Sequence, residues 1–128
     1  MIVGIGVDIV DAARLRRLEG RFGPRVAERL LAPCEGAAYA ECAESAALLA
    51  RRFAVKEATS KALGTGIGAH AAFRDIGVVH DDAGRPQLRL TGAAAARAAR
   101  LGIDDMHVSL SDEGDTIVAF VVLARSGP

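Results

Sequence analysis

Bulky and small positions alternate over residues 2–9, with Val3, Ile5, Val7 and Ile9 on one side and Gly4, Gly6 and Asp8 on the other. A period of two predicts a strand. One face carries bulk; the other is bare enough for something to approach the backbone closely, and it ends in a carboxylate. Asp11 ahead of Ala12-Ala13-Arg14-Leu15 predicts a helix with an aspartate N-cap. Gly20 to Gly23 is read as its break, and Pro24 as the first position of a second helix reaching about residue 31. Pro33 opens a short polar-faced helix around residues 35–41. The main helix follows over 45–63, with alanines at 47, 50, 54, 58 and 62 and Gly64 as its stop. Residues 73–80 and 87–90 predict two strands joined by the turn Asp81-Asp82-Ala83-Gly84-Arg85-Pro86. Residues 92–101 form an Ala/Arg helix ended by Gly102, and a last hairpin pairs 106–111 with 116–124 through Asp112-Glu113-Gly114-Asp115. Hairpins favour antiparallel pairing, so the predicted fold class is α+β, helices on one face of a small antiparallel sheet. No repeat or linker divides the chain, and residues 1–128 are read as a single domain.

Composition narrows the function classes. The chain is 51% hydrophobic and 25% charged, which is ordinary for a globular protein and argues against disorder. Formal charge is zero, Trp is absent and aromatics are 4%, so neither generic nucleic-acid binding nor a base-stacking platform is indicated. The zero hides an asymmetry. Arginines stand at 14, 16, 17, 21, 25 and 29 against only Glu19 and Glu28, whereas Asp104, Asp105, Asp112, Glu113 and Asp115 lie in a stretch with no Lys or Arg. The basic strip is either a solvated helix face or a docking surface for an acidic partner. Cys34 and Cys42 fit neither a redox pair nor a zinc knuckle and are expected to be packing residues in a reducing cytoplasm. The N-terminus lacks the basic flank of a signal peptide and residues 117–124 are too few to span a bilayer, so a cytoplasmic protein is expected.

Three features carry candidate chemistry, each with a plainer alternative. Asp8 ends a glycine-faced strand, or caps the next helix. Glu57 and Lys61 share a helix face four residues apart, an arrangement that also makes ordinary surface ion pairs worth about 0.2–0.5 kcal/mol. Gly64-Thr65-Gly66-Ile67-Gly68 frees the backbone to wrap a ligand, or merely turns the chain. It lacks the Gly-Lys-Ser/Thr ending of a phosphate loop and follows a helix where a dinucleotide loop would follow a strand. Taken together, two carboxylates can hold Mg²⁺, and a lysine and a glycine loop beyond them would contact phosphates. The reaction class is phosphoryl transfer.

These residues resemble a known family. Gly4-Ile5-Gly6-Val7-Asp8-Ile9, Arg52-Phe53-Ala54-Val55-Lys56-Glu57-Ala58, Ser60-Lys61-Ala62 and Gly64 to Gly68 are similar to the signatures of the holo-acyl-carrier-protein synthases, and His107-Val108-Ser109-Leu110-Ser111 to their third signature. The resemblance spans nearly the whole chain, in order and at the family's spacing. It implies a homotrimer with active sites at subunit interfaces. It also implies transfer of phosphopantetheine from coenzyme A to a serine of apo acyl carrier protein, with release of adenosine 3′,5′-bisphosphate. Asp8 and Glu57 match the family's Mg²⁺ ligands, and Lys61 joins them as a catalytic residue. Lys61, Arg52, His107, Gly64, Thr65, Gly66, Ile67 and Gly68 match positions lining the coenzyme A site. Arg14, Arg21 and Arg25 fall where such enzymes receive the acidic helix of the carrier protein.

Two positions depart from the family. Asp112 stands where many relatives have His, which excludes a histidine base there. Ala32 stands where relatives often have Thr before Pro33-Cys34-Glu35, removing a cap worth about 1 kcal/mol. Two rival classes remain at this point. A non-catalytic coenzyme A or nucleotide-binding module would not need both Asp8 and Glu57. A Mg²⁺-dependent phosphohydrolase would use water in place of serine. Neither needs a docking strip.

Overall fold

The computed structural model describes residues 1–127. The chain runs β1 (Ile2–Asp11), α1 (Ala12–Phe22), α2 (Arg25–Leu30), a 3₁₀ turn at Pro33–Glu35, α3 (Gly36–Glu41) and α4 (Ser45–Ala62). A second 3₁₀ turn at Phe73–Asp75 then leads into β2 (Ile76–His80), β3 (Pro86–Leu90), α5 (Gly92–Arg100), β4 (Asp105–Glu113) and β5 (Thr116–Ala124). The α+β expectation is met. The strands, however, divide into a three-stranded antiparallel sheet, ordered β1-β5-β4, and a separate β2-β3 hairpin.

The alternation of β1 is realised with an unusual sense. Its glycine side faces α4: a Cβ on Gly4 would overlap the carbonyl oxygen of Ala62, and one on Gly6 that of Ala58. Only residues without side chains permit a strand to lie this close to helical backbone. On β5 the same face presents Ile117, Ala119, Val121 and Leu123, all buried. The bulky side of β1 is left open, with Ile5 60%, Val7 54% and Ile9 66% exposed, and Phe120 beside them at 44%. Register aligns this outer face into rows Ile5–Val122–His107, Val7–Phe120–Ser109 and Ile9–Val118–Ser111.

Helix α4 is the axis of the fold and buries residues on nearly every side, polar ones included. Lys56, fully buried, donates to Glu35 Oε1 at 2.6 Å and to the carbonyl of Ile76. Glu35, also buried, accepts from the amides of Ala32 (2.9 Å) and Val78 (3.1 Å). Arg52 Nε lies 3.2 Å from Glu35 Oε2, but its N–H is not directed at the oxygen, so this is an ionic contact. Burial depresses the pKa of both cations and the Glu35 charge opposes it. Glu35 thus ties the 3₁₀ turn, α4 and β2 together. Because Ala32 has no side-chain acceptor, the Glu35 bond to its amide is the one half of a capping box present at this turn.

Boundaries follow the sequence closely, with two corrections. Gly20 does not break α1; the helix continues to Phe22 and ends at Gly23, whose φ is +60°. Residues 73–75 form a 3₁₀ turn ahead of β2, not part of the strand. Asp11 caps α1 as expected, accepting from the Ala13 amide at 2.9 Å. Cys34, expected to be a packing residue, is exposed, although its Sγ covers Gly77. No helix among the described residues is long and apolar enough to cross a membrane.

Glu19 fastens α1 to the helices beside it, accepting from Tyr39 Oη at 2.7 Å and Ser45 Oγ at 2.9 Å. The Glu19 hydrogen bond, then burial, pushes the Tyr39 phenol up to about 12. Folding favours the neutral phenol, so this stabilisation is complete below the free phenol pKa of about 10 and is lost as pH rises through the folded value. Tyr39 is the only tyrosine and Trp is absent, so the phenolate absorbance reports it alone. The native titration midpoint is expected near 12, falling toward the free value in Glu19→Gln. An unshifted native midpoint refutes the clamp.

Candidate active site

On α4, Glu57 and Lys61 face the C-terminal end of the glycine side of β1, where Asp8 lies, and Phe53, one turn earlier, meets Arg14 of α1. Spacing of four residues keeps the three side chains on one line along the helix. Lys61 Nζ donates to the Val7 carbonyl at 2.9 Å and to Asp8 Oδ1 at 3.1 Å. The sequence left open an ion pair between Glu57 and Lys61; the lysine instead crosses to β1. Asp8 Oδ2 is buried and has no hydrogen-bond partner. Burial first, then the negative charge of Asp8, raises the Glu57 carboxyl, while Lys61 and Arg14 pull it down.

Two facing carboxylates, one with an unpartnered buried oxygen, are an oxygen donor set short of positive charge. They fit a hard divalent cation such as Mg²⁺, which takes one or two carboxylates and completes its shell with water and substrate phosphates. Among the described residues no third His, Cys, Asp or Glu joins them.

Beyond Lys61 the helix ends in the glycine loop. Gly64 and Gly66 adopt φ of +78° and +65°, the left-handed region that side chains disfavour. The Thr65 and Gly66 amides both bond to the Ser60 carbonyl, and Gly68 and Ala71 bond to each other in both directions. Ile67 packs against the core and the Thr65 hydroxyl donates to the Gly66 carbonyl, so the loop presents mainly backbone.

Other expected site residues lie elsewhere. Arg52 is only 4% exposed and held at Glu35, away from solvent. His107 stands on the outer sheet face, 3.0 Å from Asp105 Oδ2. It lines a cavity of about 670 Å³ between β4 and the β2-β3 hairpin, with His80, Arg85, Gln87 and Ser109. The hairpin residues belong to no motif in the sequence; the one available signal was Arg85 in the turn between β2 and β3.

The basic strip has an apolar floor. Leu18, Val26, Leu30, Phe53 and Phe73 line a groove of about 180 Å³, rimmed by Arg14 and Arg29. The Arg14 guanidinium sits 5.5 Å from the centre of the Phe53 ring. Arg21 stacks on Phe22 at 5.0 Å, and Arg25 borders a second hollow with Phe22, Val26 and Arg29.

Residues 4–121 match the 4′-phosphopantetheinyl transferase superfamily. A holo-[acyl-carrier-protein] synthase from Halorhodospira halophila is 54% identical, the match covering 96% of this chain and 98% of the relative. The chain belongs to this family. The crystal structure of the synthase from Neisseria meningitidis superposes with a TM-score of 0.92 at 42% identity, covering 98% of this chain and 100% of that one. The synthase from Helicobacter pylori in complex with coenzyme A superposes at 0.80, with 32% identity over 94% of this chain and 99% of that one. The resemblance read from the sequence and the α+β fold are both borne out, and the chain is an enzyme of the holo-[acyl-carrier-protein] synthase type.

Proposed function

We propose that the protein transfers 4′-phosphopantetheine from coenzyme A to a serine of an apo acyl carrier protein, dependent on Mg²⁺, with adenosine 3′,5′-bisphosphate as the other product. The observation that carries the reading is the meeting of Asp8, Glu57 and Lys61 directly before the glycine loop. The serine oxygen bonds to the phosphorus nearest pantetheine, its proton leaving to a water oriented by Glu57, and the diphosphate P–O bond breaks with the bisphosphate as leaving group. Asp8 and Glu57 would hold the Mg²⁺, which when bound offsets negative charge on the phosphoryl oxygens. Lys61, fixed by Val7 and Asp8, keeps an ammonium at the same place for the leaving bisphosphate. The glycine loop, bare of side chains, leaves room for phosphate oxygens to approach, and the cavity beside β4, lined by Arg85, His80, His107, Gln87 and Asp105, is read as the seat of the nucleotide end of coenzyme A. A non-catalytic nucleotide-binding module would leave Asp8 Oδ2 buried without purpose, at a desolvation cost of about 1–3 kcal/mol.

The exposed apolar rows of the sheet favour assembly, and we read them as the face covered by further copies of this chain in a homotrimer. Asp8 and Lys61 lie at the β1 edge and the His107 cavity at the β4 edge, with β5 between them. Those edges are about 10 Å apart in the pairing direction. A neighbouring copy can bring one edge to the other without reshaping either, which supports a site shared between subunits.

The groove under the basic strip is read as the seat of the carrier protein, whose recognition helix would be acidic on one side and apolar on the other. Complementary charge steers such encounters more than it alters chemistry.

Three outcomes test these readings. Asp8→Ala and Glu57→Ala should each lower transfer by at least about 100-fold with the circular dichroism spectrum intact, and chelation should silence the wild type; intact-mass analysis of the carrier reads both. Undiminished transfer in excess chelator sinks the metal assignment. Light scattering should give about three times the 13.3 kDa chain mass, and a fully active monomer refutes the shared site. Because Arg14 also touches Phe53 and influences Glu57, Arg25→Glu is the cleaner probe of docking. It should raise KM for the carrier protein severalfold and leave KM for coenzyme A unchanged, and added salt should weaken carrier binding by the wild type in the same direction. If neither KM moves, the strip is only a solvated surface.

A further inference from the structure

Helix α5 carries none of the family signatures, yet it is attached at both ends of the segment from Leu63 to Asp75, which contains the glycine loop. At the near end Arg97 Nε donates to the carbonyl of Leu63 at 3.1 Å. That carbonyl belongs to the last turn of α4, where helical partners run out, and Leu63 itself is buried. The Arg97 guanidinium also lies 3.6 Å from where a Cβ on Gly64 would stand, so it flanks the first residue of the loop. At the far end the Thr91 amide bonds to the Asp75 carbonyl at 2.9 Å. Gly92, with φ of +53°, brings its backbone so near the Asp75 carboxylate that a Cβ there would sit 2.7 Å from Oδ1. Between these two attachments the segment is held by the Thr65 and Gly66 amides at the Ser60 carbonyl, by the Gly68–Ala71 bridge, and by Ile67, Ala71 and Phe73 packed into the core.

We propose that α5 is a brace that sets the glycine loop before coenzyme A arrives, with Arg97 as its positioning residue. The proposal rests on the reading of the loop as a phosphate-binding segment. A loop already held in its bound shape needs no ordering when the ligand binds, and ordering is a cost that lowers affinity. Arg97 acts through the Leu63 carbonyl and the Gly64 backbone; its own contact with the ligand is not required. A guanidinium suits the role because it keeps its charge at every working pH and donates from a rigid plane.

The test compares wild type, Arg97→Ala, Arg97→Lys and Gly92→Ala as full-length protein. Hydrogen exchange followed by mass spectrometry should show faster exchange over residues 64–68 in Arg97→Ala, with the β2-β3 hairpin unchanged. Calorimetric titration with coenzyme A should show Kd raised about 3–10-fold, the scale of one hydrogen bond. KM for coenzyme A should follow Kd, turnover at saturation should fall by less, and KM for the carrier protein should stay put. Arg97→Lys, which keeps a cationic donor, should recover much of the loss, and Gly92→Ala should loosen the loop from its other end.

Unchanged loop exchange in Arg97→Ala overturns the brace. A higher Kd without faster loop exchange overturns it too, since Arg97 would then be a direct ligand contact. Faster exchange throughout the protein with a lower Tm assigns Arg97 a general structural role and likewise refutes the proposal. If the wild type fails to bind coenzyme A, the transferase reading falls, and loop exchange alone then decides whether α5 braces the segment.

Discussion

The contact between β1 and α4 sets the geometry on which the site depends. Gly4 and Gly6 let the strand lie directly on the carbonyls of Ala62 and Ala58, and Asp8 is the next residue on that side. A side chain at Gly6 would push strand and helix apart, and overpacking of this kind costs about 1–3 kcal/mol or more. The functional consequence would be larger. Asp8 and Lys61 meet at 3.1 Å, a distance that does not survive a displaced strand. The two glycines are therefore part of the site although they need touch no substrate.

A second constraint fixes the rotation of α4. Arg52 and Lys56 are four residues apart and share a face, turned to the buried carboxylate of Glu35. Glu57 and Lys61 repeat the spacing about 100° further round and face Asp8. With Lys56 fully buried, removing Glu35 would leave an uncompensated cation, a defect that costs about 3–5 kcal/mol. Rotation of the helix that relieved this would carry Glu57 away from Asp8. Two adjacent residues, Lys56 and Glu57, thus belong to different systems, one anchoring the helix and the other facing the site.

Much of this was legible in the residues. The strand, the long alanine-studded helix and both hairpins follow from periodicity and glycine stops, and the grouping of Asp8, Glu57 and Lys61 from the family resemblance. Three things did not follow. Gly20 signals a break by propensity, but Leu15 is buried, Leu18 packs against the core and Glu19 is clamped by Tyr39 and Ser45, so tertiary contacts carry α1 past it. Alternation on β1 predicts one buried face; that the buried one is glycine and the open one Ile5, Val7 and Ile9 depends on what approaches each side. Arg52 reads as a ligand contact by motif and as a core cation by structure, because its partner Glu35 is 17 residues away in the chain and shares no pattern with it.

Taken along α4, the site has an order. Phe53 floors the apolar groove under Arg14, Glu57 faces Asp8 one helical step later, and Lys61 stands one step beyond, ahead of the glycine loop. Each step of four residues advances about 6 Å, so the backbones of Phe53 and Lys61 are about 12 Å apart along the helix axis. On the proposed reading, a carrier helix seated in the groove and a phosphate held at the loop would approach the same two carboxylates from opposite sides along one helix. The backbone spacing between them would then be set by α4 itself, which is buried on almost every side and tied to β1, β2 and the Pro33–Glu35 turn.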